Sequence, residues 1–265
     1  MTKPGQAPLD RLLAIMERLR DPQRGCEWDV AQSFETIAPY TIEEAYEVAD
    51  AIQRGDIAAL KDELGDLLLQ VVFHSRIAEE AGHFDFAAVA ASISTKMEMR
   101  HPHIFGDATD VGQSREERWE GIKAQERAAK GAVSAIDGVA LALPALMRAE
   151  KIQKRAARVG FDWPDVQGPA DKLAEEIAEL AEAKTEKERA EEAGDLLFAA
   201  VNLVRAYGIP AEEALRAANA KFERRFRAME ELADRQGREF SQLTLDQQEA
   251  LWQAVKREEQ EIHRG

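Results

Sequence analysis

The stretch TIEEAYEVADAIQRGDIAALKDELGDLLLQ, residues 41–70, sets Glu43, Glu44 and Glu47 on one expected helix and Glu63 and Asp66 on the next. Residues three or four apart share a helix face, so Glu44 and Glu47 are neighbouring carboxylates, as are Glu63 and Asp66. Four like charges on one helix pair repel unless a counter-ion sits among them. Two antiparallel helices joined by a short turn can bring the pairs face to face. The product is a pocket of hard oxygen donors, which suits Mg2+ or, as a substitute, Mn2+ rather than a soft metal. Taken alone, such a charge run is more often a solvated face.

It does not stand alone, because the pattern returns further down the chain. KLAEEIAELAEA (172–183) parallels YTIEEAYEVADA (40–51), and EEAGDLLFAAVNLVR (191–205) parallels DELGDLLLQVVFHSR (62–76). Glu176, Glu179, Glu192 and Asp195 repeat the two spacings, with a connecting segment three residues shorter. Trp28 in CEWDV has a counterpart in Trp163 of FDWPD. Lys96 and Arg100 are four apart, as are Lys221 and Arg225; Trp119 and Lys123 are four apart, as are Trp252 and Lys256. Two copies of a long unit point to two similar domains, not to a solenoid.

Helices must position these groups, and strand signals are almost absent. A first amphipathic helix is expected over 9–19, then an irregular stretch, then a helix over 40–54 that stops near Gly55. Asp56 caps a long helix to about Ala81, and Leu60, Leu64, Leu67, Leu68 and Val71 form its expected buried stripe. Asp85 caps a helix to about Arg100; Ser114 with Glu117 reads as a capping box for a helix through Lys130. The charge-poor stretch 131–147 is the expected linker, between an N-terminal domain over 1–130 and a C-terminal domain over 148–265. The fold class is all-α, two tandem helical bundles.

Of 265 residues, 35 are basic and 50 acidic, a formal net charge of −15. That balance argues against a nucleic-acid polymer or an anionic membrane held by general electrostatics. A phosphorylated small molecule remains compatible if a metal ion and a few local cations neutralise it. Cys26 is the single cysteine, and no run of apolar residues is long enough to span a membrane, so the chain reads as soluble and cytoplasmic.

The order EExxE then ExxD resembles the MazG family of all-α nucleoside triphosphate pyrophosphohydrolases. It occurs as Glu43-Glu44-x-x-Glu47 with Glu63-x-x-Asp66, and as Glu175-Glu176-x-x-Glu179 with Glu192-x-x-Asp195. CEWD, HPHIFGD, VGFDWP and NAKFERRF extend the likeness over nearly the whole chain. The resemblance implies helical Mg2+-dependent domains working as intertwined dimers that cleave nucleoside triphosphates to monophosphate and pyrophosphate. By position, Glu176, Glu179, Glu192 and Asp195 would hold the metal in the second domain, and Glu44, Glu47, Glu63 and Asp66 in the first. Glu43 and Glu175 would orient a metal-bound water or a neighbouring cation.

Cleaving a phosphoanhydride requires neutralising a polyanion and positioning water. Glu175, Glu176 and Glu192 are the catalytic candidates, and spacing does not select which takes the proton. Lys221, Arg225 and Lys256 suit the triphosphate, as does Lys172, one turn before Glu176. Trp252 is placed to stack on a base, and Asn202 to hydrogen-bond sugar or base. Lys96, Arg100, Trp119 and Lys123 are the first-domain counterparts of the downstream set. Bland readings stand beside these: the tryptophans as core, and the arginines around Arg225 as a solvated face. His101 and His103 read as a structural or phosphate-proximal loop. The second domain, with Asn202 and the basic run KFERRFR, is expected to carry the main activity. A sensor that binds a triphosphate without turnover and a plain helical scaffold are the readings from other classes.

Overall fold

The computed structural model describes residues 7–105, 121, 131 and 133–262, and the chain divides into two compact units, Met1–Ile122 and Lys123–Gly265. Among the described residues every regular element is helical.

The first unit contains α1 (Pro8–Leu19), α2 (Glu27–Ala31), α3 (Phe34–Arg54), α4 (Ile57–Glu80), α5 (Phe86–Arg100) and the short α6 (Pro102–Phe105). The stretch expected to be irregular thus contains α2, and α3 starts six residues before Tyr40. A capping box explains the early start: the Thr36 N–H donates to Ser33 Oγ (3.4 Å) and the Ser33 N–H to Thr36 Oγ1 (2.8 Å). Pro39 lies inside α3 and leaves one intrahelical bond unmade. Burial of Ile37 among Met16, Val72, Phe73 and Ile77 offsets that loss. Gly55, at φ 68°, closes α3 in the left-handed conformation, and the side chain of Asp56 accepts from the Ala59 N–H (3.0 Å) to open α4. Asp85 caps α5 in the same way through the Ala88 N–H (2.7 Å). The helix expected from Ser114 to Lys130 lies outside the described residues.

One expectation about α4 is overturned. Of the stripe expected to be buried, Leu64, Leu68 and Val71 are 49%, 39% and 37% exposed. The buried face of α4 instead carries Val72, Phe73 and Ile77, with Leu69 packed against them. Helical periodicity identifies an apolar face but not what covers it; α4 is apolar on two faces, and the chain itself buries one.

The second unit contains α7 (Ala145–Arg158), α8 (Gln167–Glu182), α9 (Glu186–Ala206), α10 (Ala211–Arg235), a 3-10 turn (Phe240–Gln242) and α11 (Leu245–Ile262). Helix α7 begins within the stretch read as linker, and the residues before it fold onto it. The Asp137 carboxylate accepts from the N–H groups of Val133 and Ser134 (2.8 Å each), while its carbonyl accepts from Arg155. Pro169 sits in the first turn of α8, where a missing N–H is tolerated. Thr185 and Glu188 form a capping box for α9. Met229 and Ala233 of α10 pack on Leu251 and Val255 of α11.

Candidate metal centres

Helices α3 and α4 pack together as a hairpin, and so do α8 and α9. Each hairpin brings three carboxylates into one cluster. In the first, Glu44, Glu63 and Asp66 each place an oxygen so that the three lie within 4.8 Å of one another; in the second, Glu176, Glu179 and Glu192 do so. Oxygens gathered this closely would supply part of the ligand set of a small hard cation such as Mg2+. Hard oxygen donors, gathered without a thiolate or imidazole in either trio, fit this ion.

The electrostatics agree. Burial, then the charges of Asp66, Glu47 and Glu63, pushes the Glu44 carboxyl above the usual glutamate range. Glu63 is raised by burial and then by Glu47 and Asp66. Glu192 is raised by burial and then by Glu179, Glu176 and Asp195. Glu47 and Asp195 therefore stand outside the tight trios yet within electrostatic reach of them. Glu176 is 4% exposed, and its Oε2 has no hydrogen-bond partner among the described residues. A buried carboxylate oxygen without a partner is costly, and a bound cation would satisfy it.

The two clusters differ in their company. Lys172 Nζ lies 2.7 Å from Glu175, 2.7 Å from Glu176 and 4.0 Å from Glu179. Hydrogen bonds to Glu175 and then Glu176 hold its amine protonated well above the lysine range. In the first unit a neutral group meets the cluster: Gln70 Nε2 approaches Glu44 at 3.5 Å. Sequence reasoning passed over Gln70, although a lone amide within the apolar run LLLQVVF is a usable signal.

The remaining candidates are placed as follows. Asn202 Oδ1 accepts from Arg205 (2.6 and 3.2 Å), whose guanidinium also holds Asp162 at 2.6 Å. The hydrogen-bonding capacity of Asn202 is thus partly committed to anchoring the FDWP loop. Arg225 pairs with Glu259 (2.8 Å) and lies over the Trp252 ring, 5.3 Å from its centroid. Trp252 also meets Phe222 and packs against the α10–α11 core. Lys221 is exposed on α10 and Lys256 half-buried on α11. Among the described residues no ion pair joins Lys221, Arg225 or Lys256 to the second cluster. Lys96 and Arg100 are half-buried on α5, while Trp119 and Lys123 lie outside the described residues. His101 Nδ1 donates to the Met97 carbonyl at 2.7 Å and so closes the end of α5.

Comparison with known proteins agrees with this architecture. The family model described as MazG nucleotide pyrophosphohydrolase domain matches residues 32–105, and that of phosphoribosyl-ATP pyrophosphohydrolase matches 145–222. Each match contains one acidic hairpin. The chain is 53% identical to the nucleoside triphosphate pyrophosphohydrolase of Escherichia coli (strain K12) over 95% of its length and 98% of that protein. It is 45% identical to the nucleoside triphosphate pyrophosphohydrolase/pyrophosphatase MazG of Thermotoga maritima, over 93% of its length and 95% of that protein. A solved mazG-related protein from Thermotoga maritima aligns over 43% of the chain and 98% of its own, at 29% identity and a TM-score of 0.37. The chain belongs to the MazG family of nucleotide pyrophosphohydrolases.

Proposed function

We propose that this protein hydrolyses ribo- or deoxyribonucleoside triphosphates to the monophosphate and pyrophosphate, with Mg2+ held by a carboxylate cluster and the main activity in the second unit. The observation that carries the reading is the buried, unpartnered oxygen of Glu176 beside Glu179 and Glu192. Glu176, Glu179, Glu192 and Asp195 would hold the ion in the second unit, and Glu44, Glu47, Glu63 and Asp66 in the first. The ion would neutralise phosphate charge and lower the pKa of a bound water. The chain's own share of the chemistry falls to nearby groups. One carboxylate of the set Glu175, Glu176 and Glu192 would take the proton from the attacking water. Lys172, Lys221, Arg225 and Lys256 offer charge to the polyphosphate, Trp252 a ring face to the base, and Asn202 a hydrogen bond to sugar or base.

A homodimer belongs to the same proposal. Leu64, Leu68 and Val71 in the first unit, and Ile177 and Leu197 in the second, leave apolar surface open beside the acidic helices. A second copy is the cover that the family resemblance favours. A cytoplasmic setting, where nucleoside triphosphates are found, fits too; among the described residues no helix is long and apolar enough to cross a membrane. Product analysis tests the reaction: with Mg2+ and a triphosphate, monophosphate and pyrophosphate should accumulate together and EDTA should stop both. Diphosphate with inorganic phosphate as products would contradict it.

A further inference from the structure

Tyr40 and Lys172 occupy the same register position in the two copies, four residues before Glu44 and Glu176. The consequence is a difference in charge at the two centres. Lys172 lies across the second trio, within 2.7 Å of Glu176 and 4.0 Å of Glu179. Tyr40 instead packs edge-on against Trp28, with ring centroids 6.2 Å apart. Arg54, which acts electrostatically on Glu63, has its guanidinium on Asp50 (2.7 Å) and Asp56 (3.5 Å).

The Lys172–Glu176 contact is more than an ordinary helix-surface pair. Lysine placed N-terminal to glutamate at this spacing is the weaker orientation on an exposed helix. Here the carboxylate is buried, and a buried charge left without a partner is strongly unfavourable. The ammonium therefore compensates Glu176 in the way a metal ion would.

We propose that Lys172 is the resident counter-ion of the second centre, so that a divalent ion must displace it there, whereas the first centre has no such competitor among the described residues. The inference rests on reading both clusters as cation centres. It makes Lys172 a positioning residue that sets unequal metal affinities in two copies of one motif. Only its ammonium moves: it leaves the Glu176 and Glu179 oxygens as the ion arrives, and no bond is made or broken.

Titration of the full chain with Mn2+, followed by electron paramagnetic resonance of the free ion, tests this without any turnover. Wild type should show a tight and a weak class of site, the tight one lost in Glu63→Gln and the weak one in Glu192→Gln. Lys172→Met should tighten the weak class about tenfold, a modest size because the ammonium is partly exposed and screened. Lys172→Arg should leave it weak. The reverse graft, Tyr40→Lys, should loosen the tight class to a similar degree. An unchanged or weakened second class in Lys172→Met, with Tyr40→Lys also silent, overturns the inference while leaving the centres standing. No Mn2+ bound by wild type at either cluster overturns the centres themselves, and the inference with them.

Discussion

Glu63 is the seventh residue of α4 and Glu192 the seventh of α9, yet they gather different partners. Beside Glu63 stand Glu44 and Asp66; beside Glu192 stand Glu176 and Glu179. The hairpin arms account for the change. Seven helical residues follow Glu47 in α3, but three follow Glu179 in α8, and the turn gains one residue in exchange. The loss of four residues is close to one helical turn, so the acidic face keeps its direction while the level at which the helices meet moves along α8. The later glutamate of the EExxE motif then enters the trio, and the aspartate of ExxD drops out.

Charge relief at the first cluster gives the first prediction. Glu44, Glu63 and Glu192 all have carboxyl pKa values raised on folding, chiefly by burial and then by their acidic neighbours. A carboxyl raised on folding favours the folded state below its unfolded pKa, and that contribution disappears as pH rises through the folded value. Near neutral pH the metal-free protein therefore carries a penalty that Mg2+ removes. Thermal melts should show Mg2+ raising Tm at pH 7.5, with the gain shrinking as pH falls into the raised carboxylate range and protons displace the ion. Glu44→Gln should raise the metal-free Tm by about 1–3 °C and reduce the Mg2+ gain. A Mg2+ gain that persists undiminished at pH 4 would contradict this.

Arg20 anchors the chain between α1 and α3. Its side chain is 6% exposed, forks onto Glu80 (2.7 to 3.1 Å) and donates to the carbonyls of Asp29 (2.6 Å) and Gln32 (3.2 Å). Arg20→Ala should cost about 3 kcal/mol in urea denaturation, because it takes a buried guanidinium from the Asp29 and Gln32 carbonyls and leaves Glu80 with Arg76 alone. Lysine cannot reproduce the fork, so Arg20→Lys should recover less than half of the loss. Burial opposes ionisation of Glu80, but its bonds to Arg20 and Arg76 outweigh that and hold its pKa low. The Glu80 contribution is thus present above the ordinary glutamate pKa and lost as pH falls through the depressed value. In Arg20→Ala the acid limb of the stability profile should flatten.

Backbone geometry supplies a third test at Gly25. A Cβ there would collide with the carbonyl oxygens of Leu19 and Asp21, the second of which accepts from the Gly25 N–H at 2.7 Å. Backbone oxygens in a closed turn have little room to retreat. Gly25→Ala should destabilise by about 2 kcal/mol or more in chemical denaturation, whereas Gly65→Ala, whose Cβ meets nothing, should stay within about 1 kcal/mol.

The acidic pairs were legible in the sequence because helical spacing translates directly into a shared face, and the duplication separated them from an ordinary charged surface. Asp56 and Asp85 were legible as caps for a similarly local reason. What was not legible depends on packing between elements. The α4 stripe was assigned to the core although Leu64, Leu68 and Val71 are open in the single chain, since periodicity carries no information on which face the partner helices choose. Pro39 hid the start of α3, because the burial of Ile37 that offsets it is a tertiary contact. Lys172 reads from its spacing as a phosphate contact, and its pairing with Glu175 and Glu176 is a matter of packing that spacing does not show.

The most direct test of the account compares pyrophosphate release by wild type, Glu63→Ala and Glu192→Ala over a panel of ribo- and deoxyribonucleoside triphosphates, each with Mg2+ and with EDTA. The account predicts Mg2+-dependent release that falls by at least about a hundredfold in Glu192→Ala and survives in Glu63→Ala. Full activity in Glu192→Ala, with loss in Glu63→Ala, would move the reaction to the first unit. No release from folded wild-type protein that still binds nucleotide would contradict the enzyme reading and leave a sensor.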